Sequence, residues 1–514
     1  MLNWLRNMFR KPSESQEWGS SDGRSVARPH VGPAQVRRWD GASTTDFNAE
    51  QWSNVTGNTI NDDLVSYLPT LIDRCTYEIS TNDTLAGMVS THATDIVGPG
   101  GPTWQVYPRR PVVDENNREE LTAYISEAED ILTEWFEHCD YNGELSGAEI
   151  LQLAVRQQWA TGNAFQQIVT ARSDSQNPVS IALHSIHAER ILKNPSFLIG
   201  KDRYCLGIKR DEYGKRIDYS AMGPNELGSF AFAKDQKPIP ASQIIHHMRT
   251  EEPGQIAGVP WLAAGLETVG DIRQFDKSTM KAAQLAASLA IVFEDAFESS
   301  PVVKGAGSSP IKWGLSQILN APKGKKANQI DPKHPSQNYR EFRNERWRDV
   351  ARSVNMPLMI ARLDSKDHSY ASARMDRQLY WRSLELEQFS IEKRLMPVLT
   401  GVLREAELRR IIRRRPLPIK IGGLFIPPVH ADPQKEANAR ATDLATMSKS
   451  LIDIWQEQGI RPAEAVDKLR RTMDHLDEVR PGLGEAYFQN MLKNADLASV
   501  TAKEFISSLT EQAA

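Results

Sequence analysis

The stretch Ser369-Tyr-Ala-Ser-Ala-Arg374 lies between two segments with a helical pattern. Asn338 to Asn355 precedes it, and a polar loop, Asp364-Ser-Lys-Asp-His368, joins the two. A long helical segment follows from Met375 to Met396, and Pro397 is predicted to end it because proline lacks the N–H that a helix interior uses. The sequence therefore predicts a helix, a short loop and a long helix in succession around this stretch.

Bulk composition describes a globular chain. Its 514 residues are enough for two to four structural units, and 40% of them are hydrophobic. The three cysteines, Cys75, Cys139 and Cys205, are too few and too scattered for a disulfide framework or a zinc site. The run Leu285 to Phe293 is about half as long as a membrane span, and the N-terminus has no apolar signal region, so we expect no membrane association.

The charge balance argues against tight DNA binding. The formal net charge is −4, whereas proteins that grip DNA are usually basic. A surface of the same sign as the phosphates repels them rather than holding them. The chain is therefore compatible with DNA that slides past it.

The chain divides into an arm, a helical part, a β-rich part and a second helical part. Residues 1–60 are rich in Ser, Gly, Pro, Asn and Asp and read as an extended arm. Short β-like runs are predicted between 164 and 250, and Arg203 to Ile208 is one of them. Helices are predicted in these segments: Asn61–Thr81, Asp83–Ile96, Leu121–His138, Gly147–Thr161, Pro260–Ile291, Pro433–Gln458, Pro462–Val479, Gly484–Asn494 and Thr501–Gln512.

Signatures of enzymes are missing. There is no Walker A motif, no HExxH, no paired CxxC and no GxSxG. His246 and His247 are adjacent on a predicted strand, so they point to opposite faces and do not share one ion easily. The compact acidic pairs Asp62/Asp63 and Asp364/Asp367 are the only candidates for magnesium ligands. We therefore expect no enzyme activity and no cofactor.

Several fragments, in their shared order, resemble the lambda-type tailed-phage portal proteins. They are Ser369–Arg374, Asp95-Ile-Val-Gly98, Gly162-Asn-Ala-Phe165, Ile245–Gln255 followed by Gly258-Val-Pro260, and Trp347–Asn355. The chain departs from the family pattern at several points: Asp62-Asp63 replaces a frequent arginine, Asn163 a glutamate, Ala257 an arginine and Asn355 a glycine. The resemblance covers residues 35–480.

This resemblance implies an α+β portal fold with wing, stem, clip and crown regions, long channel-lining helices and a ring oligomer. The implied regions are a flexible N-terminal arm (1–60), the wing (61–258), stem helix 1 (259–290), the clip (291–335), stem helix 2 (336–355), the tunnel loop (356–371), the long helix with its return to the wing (372–430) and the crown (431–514).

Four groups of candidate site residues follow. The tunnel loop would face DNA, and the stem stripe would pack between subunits, although the same residues also suit a plain exposed loop and an ordinary buried helix. The clip lysines suit DNA, an acidic partner or solvent. The basic cluster suits nucleic acid, but we favour salt bridges to acidic surfaces. The groups are tunnel loop Asp364, Lys366, Asp367, His368 and Tyr370; stem Leu262, Leu266, Val269, Ile272, Ala283 and Ala287; clip Lys323, Lys325, Lys326 and Lys333; and basic cluster Arg409, Arg410, Arg413 and Arg414.

The function that the resemblance implies is a portal at one vertex of a viral capsid, assembled in the host cytoplasm from about twelve copies. Double-stranded DNA would pass through its channel during packaging and ejection. The implied partners are the terminase large subunit, the major capsid and scaffold proteins, and a head-completion adaptor. The alternatives are a metal-dependent DNA-processing enzyme of the packaging machinery and another ring-forming head–tail adaptor.

Overall fold

The computed structural model describes most of the chain between residues 58 and 494. The predicted arm, most of the predicted clip and the predicted helix Thr501–Gln512 lie outside the described residues. Those described are 58–109, 115–171, 177–193, 197–199, 202–224, 230–231, 238–287, 291–295, 325–329, 339–366, 369–425, 433–446, 448–457, 462–479 and 482–494.

Four helices and one strand open the described chain. They are α1 (Ile60–Thr81), α2 (Asp83–Val97), β1 (Thr103–Pro108), α3 (Glu115–Glu137) and α4 (Gly147–Thr161). Helix α1 begins one residue earlier than predicted because Thr59, not Asn61, is its N-cap. The Thr59 hydroxyl accepts the Asp62 N–H, and the Asp62 carboxylate accepts the Thr59 N–H. This reciprocal cap satisfies two N–H groups that a helix start leaves unpaired.

The next part of the chain is a meander of short strands, as the α+β prediction requires. It contains β2 (Asn163–Thr170), β3 (Ile181–Ile186), α5 (Glu189–Leu192), β4 (Phe197–Ile199), β5 (Asp202–Tyr204), β6 (Ile208–Arg210), β7 (Arg216–Tyr219), β8 (Gly223–Pro224), β9 (Phe230–Ala231), β10 (Ile239–Pro240) and β11 (Ile244–Met248). Strands β11, β2 and β3 form one antiparallel sheet, and β10, β7 and β6 form another.

The predicted strand Arg203 to Ile208 is wrong as one element. The structure breaks it between β5 and β6, where Leu206 and Gly207 have φ angles of 50° and 70°. A Cβ on Gly207 would lie 2.5 Å from the carbonyl oxygen of Ile191. The chain turns here because the backbone must pass close to α5, which the local β propensity does not reveal.

The predicted helix Pro260–Ile291 is shorter than expected. Helix α6 is Leu266–Ala287, and Ile291 belongs to strand β12 (Ile291–Asp295), which pairs with β13 (Lys325–Gln329). The N–H groups of Trp261 and Leu262 donate to the carbonyls of Gln158 and Trp159 in α4, at 3.2 and 3.5 Å. These tertiary bonds hold the start of the segment outside the helix.

Three helices follow: α7 (Tyr339–Arg352), α8 (Leu358–Arg362) and α9 (Tyr370–Leu408). Helix α9 has 39 residues and continues through Pro397, so the predicted end at Met396 is wrong. An interior proline costs about 3 kcal/mol. Burying the side chains that follow it, Val398, Leu399, Val402 and Leu403, contributes about 1.5–3 kcal/mol each and outweighs that cost.

The C-terminal part returns to the first strand and then becomes helical again. Strand β14 (Ile419–Leu424) pairs antiparallel with β1, which joins segments more than 300 residues apart. The predicted helix Pro433–Gln458 is two helices in the structure. The elements are α10 (Pro433–Ala445), α11 (Leu451–Glu457), α12 (Pro462–Val479) and α13 (Leu483–Asn494).

Two clusters of buried side chains form the core. The larger one joins α2, α3, α4, α7 and α9, and it contains the fully buried Trp135, Trp159 and Trp347. The smaller one joins α1 to the strand meander through Leu68, Ile72 and other residues. Helix α2 lies in the middle because it packs against α1, α4, α8 and α9.

Candidate functional site

The turn between α7 and α8 is fixed by a left-handed asparagine. Asn355 has a φ angle of 58°, and its side-chain oxygen accepts a hydrogen bond from Arg352 at 2.6 Å. Asparagine tolerates this conformation better than most residues, which explains how it stands where glycine is usual. The Met356 N–H then donates to the Ala351 carbonyl, and the Met356 side chain is buried. The entry to the predicted tunnel loop is therefore anchored in the core.

Helix α8 lies inside the segment predicted as a loop. Its Leu358 and Ile360 pack against the larger core cluster, and Ala361 is buried. The helix ends at Leu363, which has a φ angle of 48° and an 81% exposed side chain. The predicted loop 356–371 is thus a short anchored helix followed by an exposed tip.

The described part of the tip carries opposite charges close together. The Asp364 carboxylate lies 3.8 Å from the Arg340 guanidinium of α7, and it accepts the backbone N–H of Lys366 at 3.2 Å. Lys366 itself is exposed. Asp367 and His368 lie outside the described residues, and of Tyr370 only the backbone, at the start of α9, is described. Asp364 therefore balances basic groups on both sides.

Helix α9 is tied at its start by a cap and along its length to α2. The Ser369 hydroxyl accepts the Ser372 N–H at 3.2 Å. Two side chains bridge to the end of α2: the Tyr380 hydroxyl donates to Asp95 at 3.1 Å, and the Gln388 amide donates to the Ile96 carbonyl at 2.9 Å. Burial raises the pKa of Asp95 despite the Tyr380 hydrogen bond, which lowers it. These bonds pair the "DIVG" fragment with the long helix.

The predicted stem stripe is used inside the subunit. Leu262, Val269 and Ile272 are buried in the larger core cluster, and Leu266 packs against it. The subunit's own core covers Leu262, Val269 and Ile272, which the sequence pattern alone does not reveal, and the contact of Leu266 with another subunit stays a prediction. Ala283 is partly exposed, and the side chain of Ala287 lies outside the described residues.

Two glycines bring the "GNAF" and "GVP" fragments face to face. Gly162 ends α4 with a φ angle of 74°, and a Cβ there would lie 2.3 Å from the carbonyl carbon of Val259. A Cβ on Gly258 would lie 2.1 Å from the Gly162 carbonyl oxygen. The chain leading into α6 thus crosses the start of β2 at a separation that only glycine permits.

A buried asparagine holds this crossing together. The Asn163 side-chain oxygen accepts the Gly258 N–H at 2.6 Å, and its amide donates to the carbonyls of Gly258 and Thr161 at 3.0 and 2.7 Å. The same oxygen lies 2.9 Å from Nε2 of His246, so Nε2 carries the proton. Nδ1 of His246 then accepts the hydroxyl of Tyr219 at 3.2 Å. Asn163 and Gly258 belong to two sequence fragments that are 95 positions apart. Only the folded structure shows that they are in contact.

A model of the family described as phage portal protein, lambda family, matches residues 48–388, which is more than half of the chain. The chain belongs to the lambda family of phage portal proteins. The match contains both fragments of the glycine crossing and the whole α7–α8–tip segment. The predicted family and the predicted α+β portal fold are confirmed.

A curated relative of this portal protein has low sequence identity to it. The probable portal protein of Halomonas phage phiHAP-1 is 23% identical over 296 residues, which are 53% of this chain and 56% of that protein. The chain therefore spans little more than half the length of this curated relative.

Solved structures that resemble the chain are also remote in sequence. One is a chain from the neck of an empty GTA particle, at 14% identity and a TM-score of 0.44, covering 77% of this chain and 94% of that one. Another is an HK97 family phage portal protein from Corynebacterium diphtheriae, at 12% identity and a TM-score of 0.34, covering 71% of this chain and 96% of that one.

The basic cluster of this portal family member is not helical. Helix α9 ends at Leu408, and Arg410 has a φ angle of 60°, so Arg409, Arg410, Arg413 and Arg414 do not share one helix face. Arg409 pairs with Glu405 at 2.8 Å, and Arg413 pairs with Glu127 of α3 at 2.7 Å. Arg409 and Arg413 thus form the salt bridges to acidic side chains that we favoured for this cluster, and they form them within one subunit. Arg414 is exposed.

The remaining predicted groups are only partly described. Lys325 and Lys326 lie on β13, where the sequence indicated turns, and their side chains are outside the described residues, as are Lys323 and Lys333 altogether. In the part of the chain that is described, no three His, Cys, Asp or Glu side chains come together as a metal site requires. Among the described helices, none has an apolar stretch long enough to cross a lipid bilayer.

Proposed function

We propose that this chain is the subunit of a ring of about twelve copies at one vertex of a phage capsid. Its channel takes double-stranded DNA in during packaging and releases it during ejection. Family membership supports this function, and the single observation that carries the site is the segment from α7 to α9. A charged, exposed tip is held there between helix α8, which is anchored in the core, and the Ser369 cap of α9, as a loop that contacts a moving polymer requires.

The electrostatics of the tip suit weak contact with a polyanion. Lys366 attracts a phosphate, whereas Asp364 repels it and already faces Arg340. Each net phosphate contact adds salt-dependent affinity, so a nearly balanced tip limits the affinity per subunit. The net charge of −4 per chain acts in the same direction. DNA would therefore slide along this surface instead of being retained by it.

We assign the regions as follows in this proposal. The wing is residues 61–258, and α9 with β14 returns the chain to it through the pairing of β14 with β1. Stem helix 1 corresponds to α6 and stem helix 2 to α7, with β12 and β13 in the clip between them. The C-terminal helices form the crown. The clip would meet the terminase large subunit and later a head-completion adaptor, while the outer surface would meet capsid and scaffold proteins.

The proposed ring is tested by electron-microscope class averages and native mass of the purified full chain over a range of concentrations. We expect rings with a central channel and about twelve copies. A chain that remains monomeric at the highest concentration would contradict the ring. Incubation of the same sample with plasmid DNA and Mg²⁺ should leave the DNA intact, because the role requires no bond cleavage. Metal-dependent cleavage would instead support a DNA-processing enzyme.

Replacement of Asp364 by Ser and Lys366 by Gly is expected to leave ring assembly unchanged and to lower packaged DNA or its retention. Lys366 is exposed and Asp364 is partly exposed, and neither belongs to the core, so the two changes remove the phosphate contact of Lys366 and the opposing charge of Asp364 without disturbing the core. The measurement is DNA protected from nuclease in particles assembled with each variant.

The matched control changes a charged turn far from the tip. Glu212→Ser with Lys215→Gly removes the same two charges from the exposed turn between β6 and β7. Packaging should be normal in this control. Normal packaging in the tip variant as well would remove the tip from the DNA path.

A further inference from the structure

Helix α9 has an uncovered apolar stripe opposite its buried face. The buried face consists of Tyr380, Leu384, Gln388, Ile391 and Leu395. On the other side, Met375, Leu379, Leu386 and Phe389 are 66%, 61%, 72% and 64% exposed. Their spacing of three, four and seven residues places them on one face of a helix. Large apolar side chains that line up in this way on a surface mark a protein contact.

Basic groups lie on the same line. Arg382 falls between Leu379 and Leu386, and Lys393 follows Phe389 by one turn. Both are exposed, and in the described part of the chain neither forms a salt bridge. The stripe of α9, defined by Met375, Leu379, Arg382, Leu386, Phe389 and Lys393, is therefore both apolar and positively charged.

Helix α6 presents a face with the complementary properties. Glu267 and Asp271 are exposed and one turn apart, so they share a face, and neither forms a salt bridge in the described residues. Open hollows lie on either side of this face. One, of about 650 Å³, lies against α1 and is lined by Tyr77 and Leu266, among others. The other, of about 470 Å³, lies against α7 and is lined by Phe275 and Phe342, among others.

Helices α9 and α6 pack against different elements of the chain. Helix α9 packs against α2, α3, β11 and β14, whereas α6 packs against α1 and α7. The exposed side of each helix is left for another molecule. Two different, complementary faces on one chain make a head-to-tail contact, and such a contact generates a ring when the rotation closes.

We propose that the stripe of α9 in one copy packs on the acidic face of α6 in the next copy. Arg382 and Lys393, about 17 Å apart along α9, then flank Glu267 and Asp271, which are about 6 Å apart along α6, and Leu386 and Phe389 between the two bases enter the hollows beside α6. From Met375 to Lys393 the stripe is about 27 Å long, and from Glu267 to Ser278 the exposed face of α6 is about 17 Å long, so the α6 face fits within the stripe. This interface rests on the ring proposed above and names the surfaces that build it.

Charge reversal tests the interface on the full chain. Arg382→Glu with Lys393→Glu is expected to lower the ring fraction at least about tenfold, because like charges then face each other. Glu267→Lys with Asp271→Lys should do the same. The combination of all four changes restores opposite charges and should restore rings. Lys215→Glu with Lys420→Glu changes the net charge equally at exposed sites outside α9 and α6 and should leave ring formation normal.

Disulfide trapping gives a second readout that does not depend on disrupting the ring. Leu386→Cys with Gly270→Cys, in a Cys205→Ser background, should give a ladder of cross-linked chains on oxidation, because Gly270 is exposed between Glu267 and Asp271 and a Cβ there meets nothing within 4 Å. Either cysteine alone should not, because the remaining native thiols, Cys75 and Cys139, are buried.

The outcomes separate this interface from the ring itself. If the wild-type chain forms no rings, the proposed function and the interface both fail. If it forms rings, and both reversed pairs also form them without cross-linking at 270 and 386, the ring stands and the α9–α6 interface is overturned.

Discussion

The substitution Gly258→Ala is expected to lower the free energy of unfolding by at least about 3 kcal/mol. The new Cβ would lie 2.1 Å from the Gly162 carbonyl oxygen, a distance at which backbone must move. Such a movement also stretches the hydrogen bonds that Asn163 makes to both polar backbone groups of Gly258. Since these groups are buried, water does not replace the lost bonds, which adds to the cost.

Urea denaturation of the purified chain measures this effect, with Gly87→Ala as the control. Gly87 lies on the exposed side of α2, and a Cβ there meets nothing within 4 Å. Alanine at this helical position should raise the free energy of unfolding by about 0.5–1 kcal/mol. A Gly258→Ala chain within about 1 kcal/mol of the wild type would mean that the two fragments are not this close.

The consequence for function is indirect but large. The Gly162–Gly258 crossing fixes the direction in which the chain leaves the strand meander and enters α6. A shift there moves α6 relative to the sheet β11–β2–β3, and with it the face proposed to contact the next subunit. We therefore expect Gly258→Ala to impair ring formation as well as stability.

Lowering the pH from 7.5 to 5 is expected to reduce the free energy of unfolding by about 4 kcal/mol through the buried His92 and His247, and His246 adds a loss in the same direction. Burial, and secondarily the charge of Arg249, lowers the pKa of His92 to about 3. Burial, and secondarily Arg394, lowers the pKa of His247 to about 3. Burial also lowers the pKa of His246 well below its usual value.

The direction of the effect follows from proton binding. Below about pH 6.5 the unfolded chain takes up protons on these histidines, whereas the folded chain keeps them neutral. Stability is therefore lost between pH 6.5 and about 3, by about 2 kcal/mol at pH 5 for each of His92 and His247.

The hydrogen bonds of His92 and His246 indicate that both imidazole rings are neutral. The indole N–H of Trp159 donates to Nδ1 of His92 at 3.0 Å, so that nitrogen must lack a proton. The hydroxyl of Tyr219 likewise donates a hydrogen bond to Nδ1 of His246, so that nitrogen also lacks a proton. Protonation of either ring would place two donors against each other in a dry environment.

Unfolding curves at several pH values check this prediction. His247→Gln keeps a donor for Gln166 and removes one titrating group, so the slope between pH 6 and 4 should fall by about 1.4 kcal/mol per pH unit. His138 is exposed, and His138→Gln should leave the slope unchanged. An unaltered slope in His247→Gln would show that His247 is protonated in the folded chain.

Local signals predicted many elements well. Helix Gly147–Thr161 has the predicted bounds because Ser146 caps its start and Gly162 ends it in a left-handed conformation. Helix Pro462–Val479 likewise has the predicted bounds. The turn Asp211–Lys215 joins β6 and β7, since the Asp211 side chain accepts the N–H groups of Tyr213 and Lys215.

Predictions failed where distant residues override a local preference. Pro397 is a strong stop signal, yet α9 passes through it because core contacts on both sides of the proline outweigh its cost. Trp261 and Leu262 have a helical pattern, yet their N–H groups bond to α4. The stripe Leu262, Val269 and Ile272 was correctly identified as apolar, but its partner is the subunit's own core.

The sequence by itself determined the family, the α+β class and the bounds of several helices, because caps, glycine stops and periodic apolar residues act over a few neighbouring positions. The tertiary structure alone decided which faces remain exposed, that Gly162 meets Gly258, and that α9 presents an apolar and basic stripe. Burial and close backbone approach depend on what packs against a residue from elsewhere in the chain, and spacing along one segment does not contain that information.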